Sequence, residues 1–209
     1  MSRPPRALRL ALTLAAAGLA MTACATPSAS DAPPGASLGS LHPAPPEGEV
    51  VGVGTVMDVA GTVELCLGPV AESYPPQCSG IPLEGWTWDA VEGAETSGDT
   101  TWGAYAVQGT YDGETLTVTK PPVMLALYDP MMVEDPTGVE PGSTDEETLL
   151  RIQEDLPAAL GEDYLGSSPQ DGRLWVDVVW DDGTWQQAAD DDFGADVVVI
   201  RSALRETAG

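Results

Sequence analysis

The sequence predicts an α+β protein: a small β-barrel over 49–120, followed by an α-β-α-β unit over 143–209. Three observations carry this. Val51, Val53, Thr55 and Met57 alternate with Gly52, Gly54 and Val56, the period of a strand. Tyr105–Tyr111 and Glu114–Thr119 are β-rich runs separated by Asp112-Gly113, a hairpin signal in which both turn residues need positive φ. From Ser143 onward the apolar spacing changes, with Leu149, Ile152, Leu156 and Leu160 recurring at helical intervals.

Taken in order, Val51–Met57 is the first strand, and its glycines mark close backbone approach. Ala60-Gly61 separates it from a second strand through Val63, Leu65 and Leu67. Several short strands around the Asp112-Gly113 hairpin suggest a small barrel, and the glycine-rich opening strand suggests an OB-like one. Residues 121–142 are a proline- and methionine-containing connector whose Val123, Met124, Leu125 and Leu127 should pack across a surface or add one more strand.

The helix over 143–160 has capping-box spacing at Ser143 and Glu146, is interrupted at Pro157 and can end at Gly161. Arg173–Trp180 reads as a strand. Thr184–Phe193 reads as a second helix, with Thr184 and Gln187 at capping-box spacing and Gly194 at its end. Val197–Ile200 reads as a buried strand. The stretch from Gly172 to Leu204 resembles βαβ modules of secreted and envelope proteins of actinobacteria.

The N-terminal residues carry an address. Arg3, Arg6 and Arg9 precede an apolar run, Leu10 to Leu19, too short to span a bilayer. It leads into Ala20-Met21-Thr22-Ala23-Cys24, which resembles a bacterial lipobox. That resemblance implies a signal peptide over 1–23 and lipid attachment at Cys24, hence anchoring on the extracytoplasmic face of the cell membrane. The bland alternative is an ordinary secretory signal cut at Ala23. Residues 24–48, rich in Pro, Ala, Ser and Gly, read as a disordered tether, with the single histidine, His42, as a solvated linker residue.

Lipidation of Cys24 leaves Cys66 and Cys78 as a pair around the Tyr74-Pro75-Pro76 loop. A zinc site fails for want of histidine on the folded part. A disulfide is expected, contributing on the order of 3 kcal/mol in an oxidising envelope.

Charge narrows the partners. The formal net charge is −25, becoming −28 once Arg3, Arg6 and Arg9 leave with the leader. Such a surface repels phosphate backbones, so no nucleic-acid partner is expected. The composition, without asparagine and with one lysine and one phenylalanine, points to a GC-rich genome. With Glu64–Gly68, Cys78–Gly80 and Gly85–Trp88, the chain resembles uncharacterised actinobacterial membrane lipoproteins. That resemblance implies a location and assigns no chemistry.

No catalytic residue, cofactor or metal ligand is assigned. There is no Gly-x-Ser-x-Gly elbow, Walker loop, Gly-x-Gly-x-x-Gly or His-Glu-x-x-His motif. The 33 acids guarantee some close carboxylate pairs, which removes their value as a glycosidase signal. Asp181-Asp182 and Asp190-Asp191-Asp192 miss the EF-hand spacing and read as helix caps and a solvated face. Trp86, Trp88 and Trp102 are the candidate ligand-binding residues, suited to stacking on sugar rings or anchoring a protein. The expectation is therefore a membrane-anchored binding or scaffolding module, with another envelope protein as partner. A carbohydrate or small-molecule receptor is the alternative, and a hydrolase the least supported.

Overall fold

The computed structural model describes residues 37–130, 135–138 and 140–207, and Cys24 and the leader lie outside them. Six strands build the N-terminal part: β1 (Glu49–Val59), β2 (Thr62–Cys66), β3 (Ile81–Glu84), β4 (Glu95–Ser97), β5 (Thr100–Tyr111) and β6 (Leu116–Val118). β1, β2, β3, β6 and β5 pair in that order and β5 returns to β1, which closes a five-stranded barrel. All contacts in it are antiparallel except β3–β6. The α+β class and the N-terminal barrel are as the sequence predicts.

The glycines of β1 work as expected. A Cβ on Gly54 would collide with the Cys66 carbonyl oxygen, and one on Gly109 of β5 with the Thr117 carbonyl oxygen. Removing the side chain at these points lets the long strands β1 and β5 cross their neighbours closely enough to curl shut. Val50, Val56, Leu65, Tyr105, Val107, Tyr111 and Leu116 fill the interior.

The turns differ from expectation in one instructive way. Tyr111 pairs with Leu116, so the Asp112-Gly113 hairpin has a four-residue loop. The Asp112 carboxylate accepts from the Glu114 and Thr115 N–H groups, and of the two residues only Gly113 has positive φ. An Asx-type turn replaces the two-residue turn, because the aspartate side chain competes for the backbone donors. The two-residue turn with both φ positive occurs instead at Ala60-Gly61, joining β1 to β2, and at Asp171-Gly172.

The connector contributes a short strand, β7 (Val123–Met124), paired with β5. Beyond it come α1 (Glu146–Leu160), β8 (Tyr164–Gln170), β9 (Arg173–Val178), α2 (Thr184–Phe193), β10 (Val198–Ser202) and β11 (Arg205–Glu206). The observed unit thus contains a strand, β8, absent from the predicted α-β-α-β order. Its sequence, Tyr-Leu-Gly-Ser-Ser-Pro-Gln, lacks an alternating apolar pattern because it lies at the edge of the β10-β9-β8 sheet, where a proline is tolerated. β9 and β10 run parallel with α2 as the crossover.

Caps fall on aspartates rather than at the predicted capping boxes. Asp145 precedes α1 and accepts from the Thr148 N–H at 2.9 Å. Asp181 accepts from the Trp185 and Gln186 N–H groups, and Asp182 from Thr184, at the start of α2. α1 passes through Pro157 and ends at Gly161, whose φ is 60°.

Leu149, Leu156, Leu174, Val176, Trp185 and Ala189 form a second core between the helices and this sheet. The chain then returns to the barrel: β11 pairs with β1, and Leu204 and Val179 are buried in the barrel core.

The expected tether ends earlier than residue 48. From Ser37 the chain lies against the folded part. Leu38 is 0% exposed within the helical core, and the Asp192 carboxylate accepts from the Ser37 and Leu38 N–H groups. Leu38 and Leu41 alone in a polar, proline-rich stretch are too weak a periodic signal to read from sequence, yet Leu38 anchors the segment.

Candidate functional site

The structure separates the three candidate tryptophans. Trp86 and Trp88 are edge-to-face at 5.2 Å and both pack on Tyr105 of the barrel core, Trp86 at 5.1 Å. Their indoles are half-buried. Trp88 Nε1 donates to Asp58, while Trp86 Nε1 is buried without a partner among the described residues. The Tyr105 hydroxyl donates to the Glu92 carbonyl, and burial pushes the phenol pKa up.

Trp102 faces the other way, because the β5 side chains alternate. Tyr105, Val107 and Tyr111 point into the barrel, whereas Trp102, Ala104 and Ala106 point out. Trp102 sits opposite Met57, with the ring of Tyr74 edge-on at 5.4 Å. The Met57 sulfur lies 3.9 Å from the Cys78 sulfur. Cys66 and Cys78 form the expected disulfide, with Cα atoms 6.1 Å apart. The bridge therefore holds the Tyr74 loop over the outer face of the barrel.

That outer face is the first candidate surface. Val53 pairs with Ala106, and Ala106 with Val123, so their side chains share one side of three adjacent strands. Val123 is 39% exposed, Leu125 and Leu127 follow it in a helical turn packed near β5, and Leu127 is 75% exposed. Tyr74, 72% exposed, lies on Trp102 farther along the same face of β5. Glu95, paired with Trp102 on the same face, is an exposed acid, as is Glu72 in the disulfide loop.

A second feature lies under the chain entering the fold. A cavity of about 200 Å3 is lined by His42, Pro43, Pro45, Tyr111, Gly113, Asp163, Trp180 and Trp185. Besides the two bonds to Asp192, three hydrogen bonds hold the entering segment at Leu41 and Ala44. Trp185 Nε1 donates to the Leu41 carbonyl and Trp180 Nε1 to the Ala44 carbonyl, both at 2.9 Å, and the Ala44 N–H donates to Asp182 at 3.1 Å. His42, read from sequence as a solvated linker residue, lines this cavity while remaining exposed. Nothing in its proline-rich surroundings signals that contact, since Tyr111, Asp163, Trp180 and Trp185 are distant in sequence.

Burial raises the pKa of Asp163, with nearby His42 opposing that shift and Glu162 adding to it. Tyr111 is driven far up, first by burial and then by Asp163, Asp112 and Glu114, so it stays a neutral phenol.

The acidic runs act locally. Asp181 and Asp182 cap α2, Asp190 accepts from Gln186, and Asp192 holds the entering segment. Among the described residues no group of three or more His, Cys, Asp or Glu side chains is arranged to hold a metal. Nor, among them, is any helix long and apolar enough to cross a membrane. No family model, curated protein or solved structure matches the chain.

Proposed function

We propose that this chain is an envelope lipoprotein, anchored through Cys24, whose barrel is a docking module for a basic protein with an apolar contact surface. The observation that carries this is the exposed apolar set of Val53 and Val123 on the outer face of the barrel, with Leu125 and Leu127 following Val123 next to β5 and Tyr74 over Trp102. Contiguous exposed apolar surface rimmed by polar residues is characteristic of protein-binding sites. The net charge of −25, with Glu95 on the same face and Glu72 in the disulfide loop, selects a cationic partner and speeds the encounter. The separation of Trp102 from the Trp86–Trp88 pair favours this reading over a row of rings stacking along a sugar chain. The barrel order, with a single parallel pair between the third and last strands, supports an OB-like assignment. Its usual nucleic-acid ligands are disfavoured by the charge.

The test is affinity capture of the full-length protein from its own membranes, wild type against Val123→Asp/Leu127→Asp. The expected result is an identified basic protein, lost in the double variant and weakened at high salt. Equal recovery of the same proteins by both forms contradicts the reading.

A further inference from the structure

The cavity under the entering segment has a chemistry independent of the barrel face. Three of its walls are aromatic, and each ring's polar hydrogen is already committed to a backbone carbonyl. The Tyr111 hydroxyl donates to Gly113, Trp180 Nε1 to Ala44 and Trp185 Nε1 to Leu41, each at 2.9 Å. What the rings offer the cavity is therefore ring carbon rather than a free polar hydrogen. The remaining polar side chains of the lining are His42, which is exposed, and the carboxylate of Asp163. Asp163 is half-buried, and among the described residues its side chain accepts no hydrogen bond and makes no ion pair. The neighbouring acids are occupied by comparison: Asp181 and Asp182 hold backbone N–H groups of α2 and of Ala44.

We propose that this cavity binds a small organic cation of the alkylammonium type, its charge facing Asp163 and its alkyl groups against Tyr111, Trp180 and Trp185. Aromatic faces attract such cations through the ring quadrupole, more strongly where water is excluded. The partly desolvated Asp163 carboxylate, which accepts no hydrogen bond among the described residues, supplies the counter-charge. The volume of about 200 Å3 suits a single compact ion, being below the roughly 300–1,000 Å3 of pockets for drug-sized ligands. A metal ion is a poor fit, since one carboxylate, one imidazole and three aromatic side chains do not supply the oxygen set that a hard cation requires. An anion would meet Asp163 directly.

Isothermal titration of the full-length protein with tetramethylammonium chloride tests this. Controls are sodium chloride at matched ionic strength and neopentyl alcohol as a neutral compound of similar shape. The expected result is a saturable isotherm with tetramethylammonium alone, the alcohol binding at least about tenfold more weakly. Asp163→Asn, which keeps size and shape, and Trp180→Leu, which keeps apolar bulk, each weaken binding by about tenfold, with melting curves confirming that both variants are folded. A response matching sodium chloride, equal binding of the alcohol, or wild-type isotherms in both folded variants overturns the proposal.

Discussion

Trp180 reaches across 136 residues of sequence to Ala44, its indole N–H donating to the Ala44 carbonyl at 2.9 Å. With Trp185 on Leu41 and Asp192 on Leu38, this makes the segment that enters the fold a structural component of it. Leu38→Ala should therefore destabilise the protein by about 2–5 kcal/mol, the cost of emptying a fully buried leucine site. Urea denaturation measures it. A change of a few tenths of a kcal/mol is the outcome expected of a free tether and would contradict the packing described.

The disulfide closes a loop of sequence separation 12 and carries Tyr74 to its place on Trp102. Its reduction should cost about 3 kcal/mol. Thermal melts with and without reductant give the number, and thiol labelling of unreduced native protein should find Cys66 and Cys78 blocked.

Gly54→Ala tests the barrel's closure. The new methyl meets the backbone carbonyl of Cys66, which has no side-chain freedom to yield, so destabilisation of about 1–3 kcal/mol is expected. Gly48→Ala, where open space surrounds the Cβ position, is the control and should be nearly silent.

Several of these features were readable from sequence and others were not, for definite reasons. Alternation with glycines at 52 and 54 identified β1 because both facts have a single cause, a strand approached closely from one side. Asp112-Gly113 marks a hairpin as expected, but the two-residue form occurs at Ala60-Gly61 and Asp171-Gly172. At Asp112 the carboxylate binds the following amides and lengthens the loop. β8 escaped notice because an edge strand needs no alternating pattern. The cavity escaped entirely: His42, Tyr111, Asp163 and Trp180 come from four distant stretches, and only the closed fold brings them to one place.

Asp163 gives a pH prediction. Burial raises its pKa, so the folded state holds the proton more tightly than the unfolded chain does. Its contribution is most favourable below the unfolded carboxylate pKa and is lost as pH rises through the folded value. Asp163→Asn should thus raise the melting temperature at pH 7, with the gain shrinking toward pH 3. The hydrogen-bonded carboxylates Asp112, Asp145 and Asp182, whose pKa values are lowered, act in the opposite sense and lose their contribution in acid. An Asp163→Asn increment independent of pH would contradict the assignment of burial as the cause.

Net charge acts on the whole. At −25 the chain repels itself, so moderate sodium chloride should raise its melting temperature by screening. Calcium at matched ionic strength should do no more. A saturable calcium shift with a micromolar midpoint would instead reveal a metal site at the Asp181-Asp182 or Asp190-Asp191-Asp192 runs.

Docking through the outer barrel face is tested most directly by photo-crosslinking in the intact envelope. A photoreactive amino acid is placed at Val123 or Leu127, and at the exposed Glu154 of α1 as control. One discrete adduct to a basic protein is expected from positions 123 and 127 and none from 154, and it should disappear from the membrane fraction when Cys24→Ser prevents anchoring. Equal adducts from all three positions, or none from 123 and 127 in protein retained at the membrane, would contradict docking through this face.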